Sequence, residues 1–260
     1  MSTVALDLLF APLLPVLLVQ GYGVRRKTLR LPPAAGPVEI VIDGALPVAR
    51  VLLIGESTVA GVGAATHAEA LAGHLAADLK ARTGRRIECA VFGLSGATVG
   101  RAHASLLPAI PATEFDLIVV AFGVNDVLER TASKLYADRV RKLIAAVRDR
   151  IGGAPVLIAA VPPMARFPAL PQPLRAYFGA RAALLDREVR RTSIVRAAHV
   201  AAKVRIEPHL FAPDRFHPSP AGYRAWAQTL GEAAVRISFV KQIARVSRER
   251  KIARPDRFPD

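Results

Sequence analysis

The chain holds a single cysteine, Cys89, among 260 residues. That excludes an internal disulfide and leaves no cysteine cluster to hold a metal. Because Cys89 falls inside an apolar run, it reads as a buried thiol, and no metal site is expected. Acidic residues are also scarce, 21 against 36 basic ones, for a formal net charge of +15. Such an excess suits an acidic partner surface. No nucleic-acid recognition motif is visible, however, and the cations gather toward the ends, so nucleic acid is not an expected partner. Aromatic residues make up only 6% of the chain, with one tryptophan, which weighs against a stacked-ring platform for sugars. Gly61-Val62-Gly63 lacks both the lysine of a phosphate loop and the third glycine of a dinucleotide fingerprint. No cofactor is expected.

What the chain does have is apolar sequence, 52% of its residues, enough for one substantial core. It is arranged as short runs separated by helical patterns. Val51-Leu52-Leu53-Ile54 comes first, and a helix is predicted over 67–82, with Leu71, Leu75 and Leu79 at four-residue spacing and Gly84 at its end. The run 87–92 follows. The run 117–122 precedes a helix over 131–151, with Val140, Leu143, Ile144 and Val147 on one face. The run 156–161 enters a proline-rich loop. A helix over 181–201 leads to a weaker fifth run at 204–206. Alternating strands and amphipathic helices predict a parallel sheet covered on both faces, a three-layer α/β/α fold. Right-handed crossovers bring the carboxy-terminal ends of all strands to one edge, where ligands bind in open α/β sheets.

Polar blocks stand at those strand ends. Gly55-Glu56-Ser57 follows the first run, Gly93-Leu94-Ser95-Gly96 the second and Gly123-Val124-Asn125-Asp126 the third. Asp214-Arg215-Phe216-His217 lies late in the chain, before the helix start Pro218-Ser219-Pro220. A serine hydroxyl becomes a competent nucleophile when a nearby base takes its proton, and that base works best when a carboxylate orients it. Each residue alone has a plainer reading: Ser57 as a helix cap, Asp214 as a turn residue beside Pro213, Asn125-Asp126 as a turn. Asp126 is read as structural. Of the six histidines, His67 and His74 fall in a predicted helix, and His103, His199 and His209 lack a matching partner at a strand end.

The four blocks, in this order, resemble those of the SGNH (GDSL-type) hydrolases over roughly 48–234. The resemblance implies a flavodoxin-like α/β/α fold and the activity of an esterase, lipase, lysophospholipase, thioesterase or carbohydrate deacetylase. Carried over by position, it implies Ser57 as nucleophile, His217 as general base and Asp214 as the group that holds the imidazole. It implies an oxyanion hole from the backbone N–H groups of Ser57 and Gly96 and the side-chain amide of Asn125. Glycine at 96 is expected to permit close backbone approach, and a helix beginning near Ser57 to add a favourable dipole. Two departures stand out: Glu56 occupies a position usually held by aspartate, and no polar residue precedes Gly93.

The ends divide the chain into an apolar and basic segment at 1–47, the hydrolase domain at 48–235 and a basic helix or tail at 236–260. The apolar stretch 8–19 contains Pro12 and Pro15, is followed by Arg25-Arg26-Lys27, and is short of the ~20 residues of a transmembrane helix. With Asp7 and no early cation, it makes a poor signal peptide. Two readings stay open, an anchor in the interface of an anionic membrane and a helix packed against the domain. Over 236–257, Ile237, Val240, Ile243 and Ala244 share a helical face opposite Lys241, Arg245 and Arg248, a pattern met on membrane surfaces. The expected location is cytoplasmic or peripheral to a membrane. The expected substrate is a lipid-like or short-chain acyl ester, with Met164, Phe167 and Leu170 of the loop 162–173 as an apolar wall for the acyl chain. The alternatives are a carbohydrate or cell-envelope O-deacetylase, and a membrane-surface lipid-binding protein that keeps only the fold.

Overall fold

Each apolar run becomes a strand whose alternate residues enter opposite cores. The computed structural model describes residues 2–194, 196–201 and 207–237. Its sheet has six strands: β1 (Glu39–Ile42), β2 (Ala45–Gly55), β3 (Arg85–Gly93), β4 (Leu117–Ala121), β5 (Val156–Ala159) and β6 (Ala197–Val200). Their order is β1-β3-β2-β4-β5-β6, with β1 antiparallel to β3 and every other pair parallel. Leu52, Ile54, Ile118, Val120, Val156 and Ile158 face one core, while Val51, Leu53, Leu117, Val119, Leu157 and Ala159 face the other. Burial on both faces explains why the runs are continuously apolar.

One face is covered by α3 (Leu71–Thr83) and α8 (Pro220–Arg236), the other by α4 (Val99–Ser105), α6 (Ser133–Ile151) and α7 (Leu174–Arg191). The short helix α5 (Val124–Leu128) continues the turn after β4. The chain crosses from β2 to β3 in one direction and returns past β2 to β4, so the winding reverses between β2 and β4. In open α/β sheets that reversal opens the ligand crevice. The three-layer α/β/α arrangement expected from the sequence is present.

Several elements differ from expectation. β1 went unread because it is a half-exposed edge strand. The helix expected over 181–201 runs instead over Leu174–Arg191, and residues 197–200 form β6. Thr192 caps that helix in an extended conformation, so Arg196 can turn and β6 can pair with β5. The expected strand at 204–206 lies outside the described residues, as does the basic helix beyond residue 237. The boundary expected between residues 47 and 48 falls inside β2, and β1 pairs with β3, so the sheet already includes part of that first segment.

The N-terminal stretch forms α1 (Thr3–Phe10), a 3-10 turn at Ala11–Leu13 and α2 (Leu14–Lys27). Together they make a near-continuous apolar helix of 25 residues, long and apolar enough by composition to cross a membrane. It packs on the outside of α7. Asp7 accepts hydrogen bonds there from Tyr177 Oη at 2.8 Å and from Arg181 Nη1 at 2.5 Å. Arg181 is fully buried and also donates to the Thr131 carbonyl at 3.0 Å. Further along, Gln20 donates to the Gln172 carbonyl and accepts from Leu174 N–H. Partial burial would raise the Asp7 carboxyl, but the bonds from Tyr177, Arg181 and Arg130 outweigh it and hold the group below its ordinary value. A buried guanidinium deprived of its carboxylate is costly. Asp7→Ala should therefore lower unfolding free energy by about 3 kcal/mol, and adding Arg181→Met should recover part of that loss. Denaturant titration of the three variants checks this, and strict additivity would contradict the pairing.

Candidate active site

β2 ends at Gly55, and the chain enters a compact turn rather than a helix. Val59 and Ala60 N–H groups donate to the Glu56 carbonyl, and Val62 N–H donates to the Ser57 carbonyl. The next helix, α3, begins at Leu71, so no helix terminus stands at Ser57 and the expected dipole is absent. The residues 67–70 form a turn instead, because Glu69, Ala70 and Gly73 N–H groups bond back to Thr66 and His67 carbonyls. The turn is pinned from behind, where Tyr223 Oη of α8 donates to the Val62 carbonyl at 2.6 Å. Gly63 sits at φ +102, and a Cβ there would stand 2.3 Å from the Pro218 carbonyl oxygen. Only glycine lets the serine turn press this closely against the histidine turn.

The histidine turn is built by Asp214. Its Oδ1 accepts both Phe216 N–H and His217 N–H, at 2.9 and 3.0 Å. Arg215 takes the left-handed conformation, φ +60, which tightens the chain so that aspartate and imidazole share one side. Asp214 Oδ2 lies 2.6 Å from His217 Nδ1, and His217 Nε2 lies 3.0 Å from Ser57 Oγ. Burial raises the Asp214 carboxyl, but the His217 ring and the two backbone N–H groups outweigh it, and the net shift is downward. A carboxylate with a depressed native pKa adds stability above its unfolded value and loses it as pH falls through the native one, here on the acid side of about pH 4. Asp214 is thus ionised throughout the neutral range. In this geometry an imidazole can take the Ser57 proton while a fixed anion stabilises the resulting cation.

Glu56 occupies the space between the ends of β2 and β4. It is buried, with Oε1 accepting Val124 N–H at 3.0 Å, and Oε2 accepting Asn125 N–H at 3.0 Å and Asn125 Nδ2 at 2.6 Å. An amide nitrogen carries two hydrogens, so the Asn125 side chain keeps one to offer elsewhere. Behind it, buried Asp126 accepts Val99 N–H at 3.0 Å and ties the same turn to the start of α4.

Gly96 lies in the turn after β3, where Leu94 N–H donates to the Gly55 carbonyl at 3.1 Å. A Cβ at Gly96 would meet nothing within 4 Å, so close packing is not what requires glycine. Its φ of +76 is.

The site opens into an apolar cavity of about 110 Å³ between the segments that follow β4 and β5 and the helix α8, with Ser57 and His217 on its wall. Phe167 lines it, together with Val124, Leu210, Phe211, Phe216 and Trp226. Phe167 stacks edge-on against Phe211 and Phe216. Met164 and Leu170 do not form the wall. Both are buried in the core against α7, because the turn at Met164–Arg166 folds inward where Gly179 leaves room for Ala165. The sequence offered no signal for Phe211, Phe216 or Trp226 beyond their nearness to His217 along the chain. His199 lies 2.7 Å from Asp186 of α7, not from a group at a strand end, and Asp186 also accepts Val161 N–H; the carboxylate fastens the end of β5 to α7. Cys89 is buried, and burial pushes its thiol up to about 12.

The sequence matches the profile of the GDSL-like lipase/acylhydrolase family over residues 53–225. It is 31% identical over 193 residues to a GDSL-like esterase of Mycobacterium tuberculosis, an alignment that covers 69% of this chain and 59% of that protein. The chain thus spans about three-fifths of that relative's length. In fold it is similar to a goat-rumen metagenome lipase (TM-score 0.56, 18% identity, 71% of this chain and 97% of that one). It is also similar to a family 3 carbohydrate esterase of Clostridium thermocellum (TM-score 0.55, 16% identity, 74% and 97%).

Burial of Glu56 disfavours its charge more than the three donors favour it, and its carboxyl rises from 4.5 to about 7. For a carboxyl raised by folding, the stabilising contribution is full below the unfolded value and is lost as pH rises through the native one. Stability should therefore fall between about pH 5 and pH 8 by on the order of 3 kcal/mol. Glu56→Gln should remove this component and weaken the turn, because an amide N–H₂ then faces a backbone N–H. Denaturant unfolding of both proteins across that range checks it; parallel curves would contradict the assignment.

Proposed function

The chain belongs to the GDSL-like lipase/acylhydrolase family, and we propose that it hydrolyses carboxylic esters of short acyl groups through a serine-bound acyl-enzyme. The observation that carries this reading is the continuous relay from Asp214 through His217 to Ser57, with contacts of 2.6 and 3.0 Å. In the first step Ser57 Oγ attacks the ester carbonyl as His217 Nε2 takes its proton. The carbonyl oxygen becomes an anion facing the Ser57 and Gly96 N–H groups and the free hydrogen on Asn125 Nδ2. Fixed neutral donors stabilise that charge without reorganising. Collapse breaks the bond to the alcohol, which leaves with the proton from His217. A water then repeats the sequence with His217 as base, releasing the acid and restoring Ser57.

The cavity supports the short acyl group. At about 110 Å³ it is smaller than the ~150 Å³ cavity that accepts a benzene ring. Its apolar aromatic wall suits a hydrocarbon stub, and the alcohol half would project toward solvent. An acetyl group on a carbohydrate and a short ester of a lipid-like alcohol both satisfy this requirement.

Ser57→Ala should reduce kcat on p-nitrophenyl acetate by at least about 10⁴-fold with the fold intact. Asn125→Ala should lower kcat by about 10²- to 10³-fold and change KM much less, whereas a rise in KM alone would make Asn125 a ground-state contact. Across p-nitrophenyl esters, kcat/KM for acetate or butyrate should exceed that for octanoate by at least about tenfold. The reverse order would remove the short-acyl assignment.

A further inference from the structure

We propose that the N-terminal helix is a docking surface for an anionic lipid bilayer, lying in the plane of the interface with both ends on the protein's side. A helix that is apolar on all sides belongs in a core or in lipid. Here only one side is covered. Leu6 and Leu17 are buried against the domain, and Phe10 and Val24 pack beside them. The opposite side carries Val4, Leu8, Val19 and Tyr22, with Leu8 and Val19 exposed to 71% and 72%. Asp7 and Gln20, the polar residues within the apolar stretch, point the other way and bond to α7 and the segment before it. Solvent-facing leucines over inward-facing polar groups reverse the usual order for a helix on a water-exposed surface.

The tethers decide how such a helix meets lipid. Asp7 and Gln20 lie about 20 Å apart along the axis, and both are bonded to the same face of the domain. A helix crossing ~30 Å of hydrocarbon would have to carry one tether, and the buried Arg181 with it, away from water. Lying flat keeps both bonds and immerses only the bare side. Charge decides between lipid and a second copy of the chain. Arg25, Arg26, Lys27 and Arg30 are exposed just past the apolar face. Two chains of net charge +15 repel one another, whereas anionic headgroups attract this end. The second half of the helix shares a groove with Pro213, Asp214 and Arg215, so a docked bilayer lies beside the turn that carries Asp214.

The full chain should cosediment with vesicles of phosphatidylcholine and phosphatidylglycerol, bind poorly to phosphatidylcholine alone, and be released by salt. Replacing Arg25, Arg26 and Lys27 together by glutamine should weaken binding about a hundredfold. Leu8→Glu with Val19→Glu should abolish it while leaving the thermal unfolding midpoint unchanged. Cysteines placed by Ser2→Cys and by Thr28→Cys should both react with an impermeant maleimide added outside the vesicles. Protection of one of the two would show a spanning helix and overturn the flat arrangement. Vesicle binding that ignores salt, or its absence with a dimer that Leu8→Glu and Val19→Glu dissolve, would overturn the lipid assignment in favour of another surface or a second copy. None of these readouts depends on ester hydrolysis, so failure here leaves the catalytic proposal standing.

Discussion

The buried carboxylate of Glu56 is the constraint on which the site depends. It links the residue before Ser57 to three donors on Val124 and Asn125, joining the ends of β2 and β4 at the point where the winding of the sheet reverses. Burying a carboxylate is expensive, and the elevation of its pKa to about 7 records that cost. Three N–H groups offset much of it. The same bonds leave the Asn125 side chain with a fixed orientation and one hydrogen to donate. Glu56 thus sets the distance between the Ser57 turn and the Asn125 amide.

The other half of the site is assembled by contact between two turns. Asp214 shapes its own turn through Phe216 and His217 N–H groups while its second oxygen meets the imidazole. Arg215 in the left-handed region allows both. Gly63 lets the serine turn approach Pro218, and Tyr223 fixes that turn to α8. No helix terminus contributes at Ser57. The polarity of the site comes from individual N–H groups and from two separately held carboxyl groups, Glu56 and Asp214, within an aromatic and apolar surround that strengthens each interaction.

How far the sequence revealed this depended on where each signal was stored. The four polar blocks were legible because each followed an apolar run, and a parallel sheet sends all such ends to one edge. Glu56 was legible as a carboxylate in place of the usual aspartate, although its three partners were not. β1 was hidden because an antiparallel edge strand with one exposed face has no continuous apolar run. Residues 197–200 read as helix since Ala197, Ala198 and His199 are not strong strand formers, and only pairing with β5 places them in the sheet. Met164 and Leu170 were assigned to the cavity on loop position alone; packing against α7 decided otherwise. At Gly96 the backbone, at φ +76, favours glycine, a constraint of conformation that the residue type alone does not announce. The N-terminal stretch read as short because its apolar run was counted over 8–19 alone, yet Pro12 and Pro15 fall in the first turns of their helical segments, where a proline's missing N–H costs little, and the helix extends over 25 residues.

The central claim is that Ser57 becomes the acyl carrier because His217 and Asp214 activate it. Reaction with a fluorophosphonate, read by intact mass and peptide mapping, tests this most directly. The account requires a single adduct on Ser57, formed far more slowly when His217 is replaced by alanine, although Ser57 itself is untouched. An adduct on another serine, or labelling of Ser57 at an unchanged rate without His217, would contradict it.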